Sequence, residues 1–79
     1  MYSTRICPFC VMAKRLLTSK SVAIDEVRVD EDLAQRELMM QRSGRRTVPQ
    51  IFVGEVHVGG FQELQALEHA GKLDALLQD

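Results

Sequence analysis

Tyr2-Ser3-Thr4-Arg5-Ile6-Cys7-Pro8-Phe9-Cys10-Val11-Met12-Ala13 holds both cysteines of the 79-residue chain. Residues 2–6 read as the end of a strand. From Pro8 to Lys20, Phe9, Ala13, Leu16 and Leu17 fall on one helical face, and Pro8 suits a first-turn position, where its missing N–H costs nothing. Cys7 is therefore expected where a strand ends and a helix begins, close to unpaired backbone N–H groups and the positive end of the helix dipole. Both favour thiolate over thiol. Cys10, about one helical turn further in, is expected to be less exposed and able to attack a mixed disulfide formed on Cys7. Thiol–disulfide exchange needs that division of labour.

Other roles for the pair carry less. Zinc usually takes four ligands, no second cysteine pair exists, and His57 and His69 are separated by eleven residues, too far apart for a finger. A purely structural disulfide would close so short a loop that chain entropy gives only about 2 kcal/mol. Two buried thiols could also act as small core hydrophobes. A C-x-x-C between strand and helix points instead to redox chemistry.

Outward from this segment, Val22 to Val29 is rich in β-branched residues and reads as a strand. Asp30, Glu31 and Asp32 supply a helix start, the helix runs from about Leu33 to Ser43, and Gly44 suits the C′ position. Gln50–Val53 and Val56–Val58 read as strands around Gly54-Glu55, a loop with glycine first that fits a type II′ hairpin. Gly59-Gly60 breaks the second strand. Leu64, Leu67 and Ala70 then recur at helical spacing, Gly71 ends that helix, and Leu73, Leu76 and Leu77 suggest a last short turn. The order predicts a small α/β domain over residues 1–79. Its first two strands are parallel by the right-handed crossover rule, and a hairpin completes a four-stranded mixed sheet with helices on both faces.

Composition bounds the partners. Leu, Ile, Val and Phe make up 23 of 79 residues, enough for a thin core. The net charge of −1 argues against nucleic acid. Yet residues 1–53 hold nine basic and six acidic side chains, against one and five in 54–79, so the first part could attract a small anion. No stretch approaches a membrane span, and no signal peptide is visible, so membrane association is not expected. Two cysteines suit a reducing cytoplasm better than a secreted disulfide framework.

Three segments in order resemble the glutaredoxin family, in its class I, dithiol, bacterial form: Cys7-Pro8-Phe9-Cys10; Ser43 through Gly54, with Thr47-Val48-Pro49 before a strand; and His57-Val58-Gly59-Gly60-Phe61. The resemblance spans Tyr2 to Leu77 and implies a thioredoxin-like fold. It implies that Cys7 attacks glutathionylated proteins or disulfides and that Cys10 resolves them. Pro49 would be cis, a form the sequence alone does not call for; Thr47, Val48 and Pro49 would all meet glutathione, with Val48 offering its backbone N–H and C=O. Gly60, Phe61 and Gln62 would hold the γ-glutamyl carboxylate, Arg36 would contact the glycyl carboxylate, and Phe9 would pack along the tripeptide. Glutathione would be the co-substrate, with no bound metal or organic cofactor. Glutathionylated or disulfide-containing proteins, ribonucleotide reductase among them, are usual partners in the family, and a monomer is expected.

The chain departs from the family's pattern in places. Thr4 stands where a lysine is usual, with Arg5 beside it as a shifted source of charge. Gln62 replaces an aspartate or serine and caps a helix poorly. Phe9 replaces a tyrosine. Only Met1 precedes Tyr2, where the family's first strand usually begins several residues earlier, so either this strand is short or the chain starts further upstream. Two other functions fit parts of the pattern: a dimeric iron–sulfur cluster carrier using Cys7 and glutathione as ligands, and a redoxin reduced by thioredoxin reductase. His57 and His69 read as structural or surface residues, Met39 and Met40 as core filler and its neighbour, and Glu26, Glu37 and Glu68 as solvated charges.

Overall fold

The computed structural model describes residues 1–78. The elements follow the expected order: β1 (Tyr2–Ser3), α1 (Pro8–Ser19), β2 (Val27–Arg28), α2 (Leu33–Ser43), β3 (Ile51–Val53), β4 (Val56–Gly59), α3 (Phe61–His69) and α4 (Leu73–Leu77). β1 and β2 are parallel, with Tyr2 opposite Val27. β3 and β4 are antiparallel. The two pairs join through an antiparallel bridge between Tyr2 and Gln50, whose backbone groups exchange hydrogen bonds of 2.9 and 3.2 Å. The spatial order is thus β2-β1-β3-β4, with a narrow joint in the middle.

Two expected strands are shorter than the sequence suggests. Residues 2–6 contribute only Tyr2–Ser3, because the Arg5 N–H turns to the Asp30 carboxylate (3.0 Å) instead of a neighbouring strand. Residues 22–29 contribute only Val27–Arg28. Val22 and Ile24 pack on the core without ladder pairing, since β-branched composition reports a half-buried surface more reliably than backbone pairing.

The pleat of β3 divides the core. Successive side chains of a strand point to opposite faces. Ile51 accordingly joins Ala13 and Leu17 of α1, Leu64 of α3 and Leu73 of α4. Phe52 turns the other way, to Tyr2, Val29 and Met39 of α2. Helices therefore cover both faces, as expected.

Local signals set the element ends. The Asp32 carboxylate accepts from the Gln35 N–H at 3.2 Å and starts α2. Gly44, at φ +70°, closes α2 in the left-handed conformation, its N–H bonded to the Met40 carbonyl. Between β3 and β4, Gly54 has φ +60° while Glu55 stays negative, the pattern of a type II′ turn. Among the described residues, no helix is long and apolar enough to cross a membrane.

Candidate active site

Cys7 is the N-cap of α1, with extended backbone (φ −151°, ψ 97°), and Pro8 follows in the first turn. Cys7 Sγ accepts from the Cys10 N–H at 3.1 Å, one of the donors that a helix start leaves without an intrahelical partner. That donor and the helix dipole favour negative charge on this sulfur. The two cysteines are joined as a disulfide, with Cα atoms 5.1 Å apart. Their environments differ in the sense the sequence suggests: Cys7 is half-buried, whereas Cys10 is 2% exposed beneath it.

Cys7 Sγ lies 3.8 Å from the Val48 carbonyl oxygen, which brings the loop before β3 against the cysteine pair. The Val48–Pro49 peptide is cis. Gln50, fully buried, braces that loop: its side-chain amide donates to the Thr47 carbonyl at 3.0 Å, and its Oε1 is 2.8 Å from His57 Nε2. His57 also stacks on Phe52, with centroids 4.7 Å apart, the structural role expected of it.

Beside the cysteines runs a groove of ≈ 210 Å³ between the loop before β3 and the start of α3. Phe9, 55% exposed, stacks on Phe61 at 6.1 Å to form one wall. Of the residues expected to meet glutathione, Phe9, Thr47, Val48, Pro49, Gly60, Phe61 and Gln62 all line this groove. Arg5 and Arg36 are exposed and do not line it.

Two lining residues were not expected from the sequence: Arg45 and Glu63. They pair through Arg45 Nη1 and Glu63 Oε1. The same carboxylate oxygen accepts from the Gly60 N–H at 3.0 Å. Gly60 is the N-cap of α3, so Gln62 stands inside the first turn and the capping contact comes from Glu63. The Gly60-x-x-Glu63 spacing, half of a capping box, was the signal available for it. The Gly60 N–H and the Arg45 guanidinium, in that order, hold the Glu63 carboxyl below the usual carboxylate range. Gly59 is required here: its φ is +115°, and a Cβ would lie 2.5 Å from Glu63 Oε1.

An N-capping sulfur, a second sulfur one turn behind it and an adjoining groove walled by aromatic rings can carry thiol–disulfide exchange. A family model described as Glutaredoxin matches residues 1–58. The chain is similar to a glutaredoxin of Neisseria meningitidis serogroup A, 54% identical over 78 residues that make up 98% of this chain and 92% of that protein. It is also similar to glutaredoxin 3 of Escherichia coli K12, 49% identical over 78 residues, 99% of this chain and 94% of that one. A crystal structure of a buckwheat glutaredoxin–glutathione complex superposes with a TM-score of 0.89 at 28% identity, covering 98% of this chain and 73% of that one. The chain belongs to the glutaredoxin family, as a dithiol glutathione–disulfide oxidoreductase of thioredoxin-like fold with Cys7 and Cys10 as its C-x-x-C pair.

Proposed function

We propose that the protein reduces protein–glutathione mixed disulfides and protein disulfides, with Cys7 as nucleophile, Cys10 as resolving thiol and glutathione as co-substrate held in the groove beside them. The observation that carries this reading is the asymmetry of the pair: a half-buried, N-capping Cys7 sulfur beside the groove's Val48 edge, with Cys10 buried behind it.

On a mixed disulfide, the Cys7 thiolate attacks the glutathione sulfur. A Cys7–glutathione bond forms, the protein–sulfur bond breaks, and the protein thiolate leaves with the electron pair and takes a proton from water. A second glutathione thiolate then attacks the glutathione sulfur on Cys7, releasing oxidised glutathione and restoring the Cys7 thiolate. On a protein disulfide, Cys7 first forms a mixed disulfide with the protein. The Cys10 thiolate then attacks Cys7 Sγ, which releases the reduced protein and leaves the Cys7–Cys10 disulfide for two glutathiones to reduce. The Cys10 N–H that bonds Cys7 Sγ steadies the thiolate at each return. Glutathione drives this direction where it is kept reduced, as in the cytoplasm.

The test is glutathione-coupled reduction of a small mixed disulfide by Cys7→Ser and Cys10→Ser. Cys7→Ser is expected to lose activity, and Cys10→Ser to keep it on the mixed disulfide while losing it on a protein disulfide. Activity retained in Cys7→Ser would overturn the assignment.

A further inference from the structure

Phe61 also borders a second depression, a cleft between α1 and α3. Its volume is ≈ 320 Å³, and Met12, Leu16 and Phe61 supply its apolar surface. Helical spacing explains how it forms. Phe9, Met12 and Leu16 stand at i, i+3 and i+7 on α1, so they make one apolar stripe that begins two residues after Cys7. The stripe is open to solvent near the cysteines, where Phe9 is 55% and Met12 43% exposed. Arg15 of α1 and Glu68 of α3 stand at the rim of the cleft. The Glu68 carboxylate is already engaged by Lys20 Nζ at 2.6 Å, whereas Arg15 has no ion-pair partner among the described residues. The cleft therefore offers an apolar floor with an uncommitted cation at its edge.

The occupant follows from what must sit beside Cys7. In a protein–glutathione mixed disulfide the glutathione half takes the groove lined by Val48 and Pro49, so the polypeptide half has to leave the sulfur over another surface. The stripe from Phe9 to Leu16 starts at the active site and leads into the cleft. Resting on the reading of Cys7 as nucleophile toward such disulfides, we propose that the α1–α3 cleft is the docking site for the polypeptide half, taking an apolar side chain near the substrate cysteine and an acidic neighbour against Arg15. The helix sets the reach. Phe9 to Leu16 spans about 10 Å along the axis, a distance that an extended peptide covers in about three residues. The apolar side chain thus belongs about two to four residues from the substrate cysteine. Its burial takes Met12 and Leu16 further out of water, so substrates of this pattern are preferred over those with polar flanks.

The test uses short glutathionylated peptides with a single cysteine, in which leucine replaces serine at each flanking position in turn, with or without an adjacent aspartate. Second-order rate constants are measured for a single turnover of the reduced protein. The glutathione mixed disulfide of β-mercaptoethanol serves as a substrate with no polypeptide half. Leucine about two to four residues from the cysteine is expected to raise the rate constant about five-fold or more, the effect of partly burying such a side chain. Met12→Gln is expected to cut that gain to about two-fold or less while leaving the β-mercaptoethanol substrate within about two-fold of the parent. Arg15→Gln is expected to remove the further gain from aspartate, and with it the salt dependence of that gain. No gain from leucine at any position, a gain undiminished in Met12→Gln, or a gain lost instead in Ile6→Ser, at the 88% exposed residue before Cys7, would overturn the cleft's role. Each of those results would leave the chemistry at Cys7 standing. A reduced parent protein that turns over none of these substrates would instead sink the reading of Cys7 on which the proposal rests.

Discussion

Gly59→Ala tests how the turn before α3 is built. At φ +115° an alanine is strained, and its Cβ would lie 2.5 Å from Glu63 Oε1 and 3.1 Å from Cγ. The backbone conformation alone costs about 1–3 kcal/mol for a non-glycine residue. Relief of the clash requires the carboxylate to leave the Gly60 N–H, which forfeits a helix-end contact of about 0.5–2 kcal/mol. The sum, about 1.5–5 kcal/mol, is a large share of the roughly 4–12 kcal/mol expected for a domain of this size. At about 4–8 °C per kcal/mol it corresponds to a melting temperature lower by roughly 6–40 °C. Urea unfolding followed by far-UV circular dichroism should show a lower midpoint with an unchanged slope. A double-mutant cycle separates the two contributions. In a Glu63→Ala background the clash and the cap are already gone, so Gly59→Ala should cost only the backbone strain, about 1 kcal/mol less than in the unmodified protein. A Gly59→Ala protein within about 0.5 kcal/mol of the parent would refute the whole argument. Strict additivity with Glu63→Ala would refute the steric half of it.

Two further outcomes follow from the same structure. The Asp30 carboxyl is held down at about 2, first by hydrogen bonds from Arg28 and further by the Arg5 N–H. A depressed carboxyl stabilises the fold fully above its unfolded pKa of about 3.9 and loses that contribution as pH falls toward its folded value. Urea midpoints of the parent and Asp30→Asn should therefore differ above pH of about 4 and converge near about 2; a gap that persists undiminished at the acid end would contradict the assignment. Leu64 is fully buried between α1, β3 and α4, so Leu64→Ala should lower stability by about 2–5 kcal/mol. A loss below about 1 kcal/mol would mean that this face collapses around the deletion.

What could be read in the chain was local. Pro8 after Cys7 announced a helix start with the sulfur at its N-cap, because the first turn tolerates a residue without an N–H. Asp32, Gly44 and Gly54 marked ends and a turn by side-chain and backbone preferences acting over two or three residues. Val22 and Ile24 misled, since their branched side chains are half-buried against the core as a strand's would be while their backbone forms no ladder. The lining side chains divided in the same way. Phe9, Thr47 through Pro49, and Gly60 through Gln62 stand in motifs, whereas Arg45 and Glu63 matter through each other.

The sequence by itself determined the element order, the placement of both cysteines at one helix start and the family to which they belong. Each rests on short-range geometry or on contiguous motifs. Tertiary structure alone decided which cations reach the groove: Arg45 lines it, while Arg5 and Arg36 remain outside. It also decided that Glu63, inside α3, both caps the helix and meets a loop eighteen residues away. Such choices depend on how the loop before β3, the Gly59–Gly60 turn and α3 converge around Pro49, and a side chain's reach across that gap is not encoded in its neighbours along the chain.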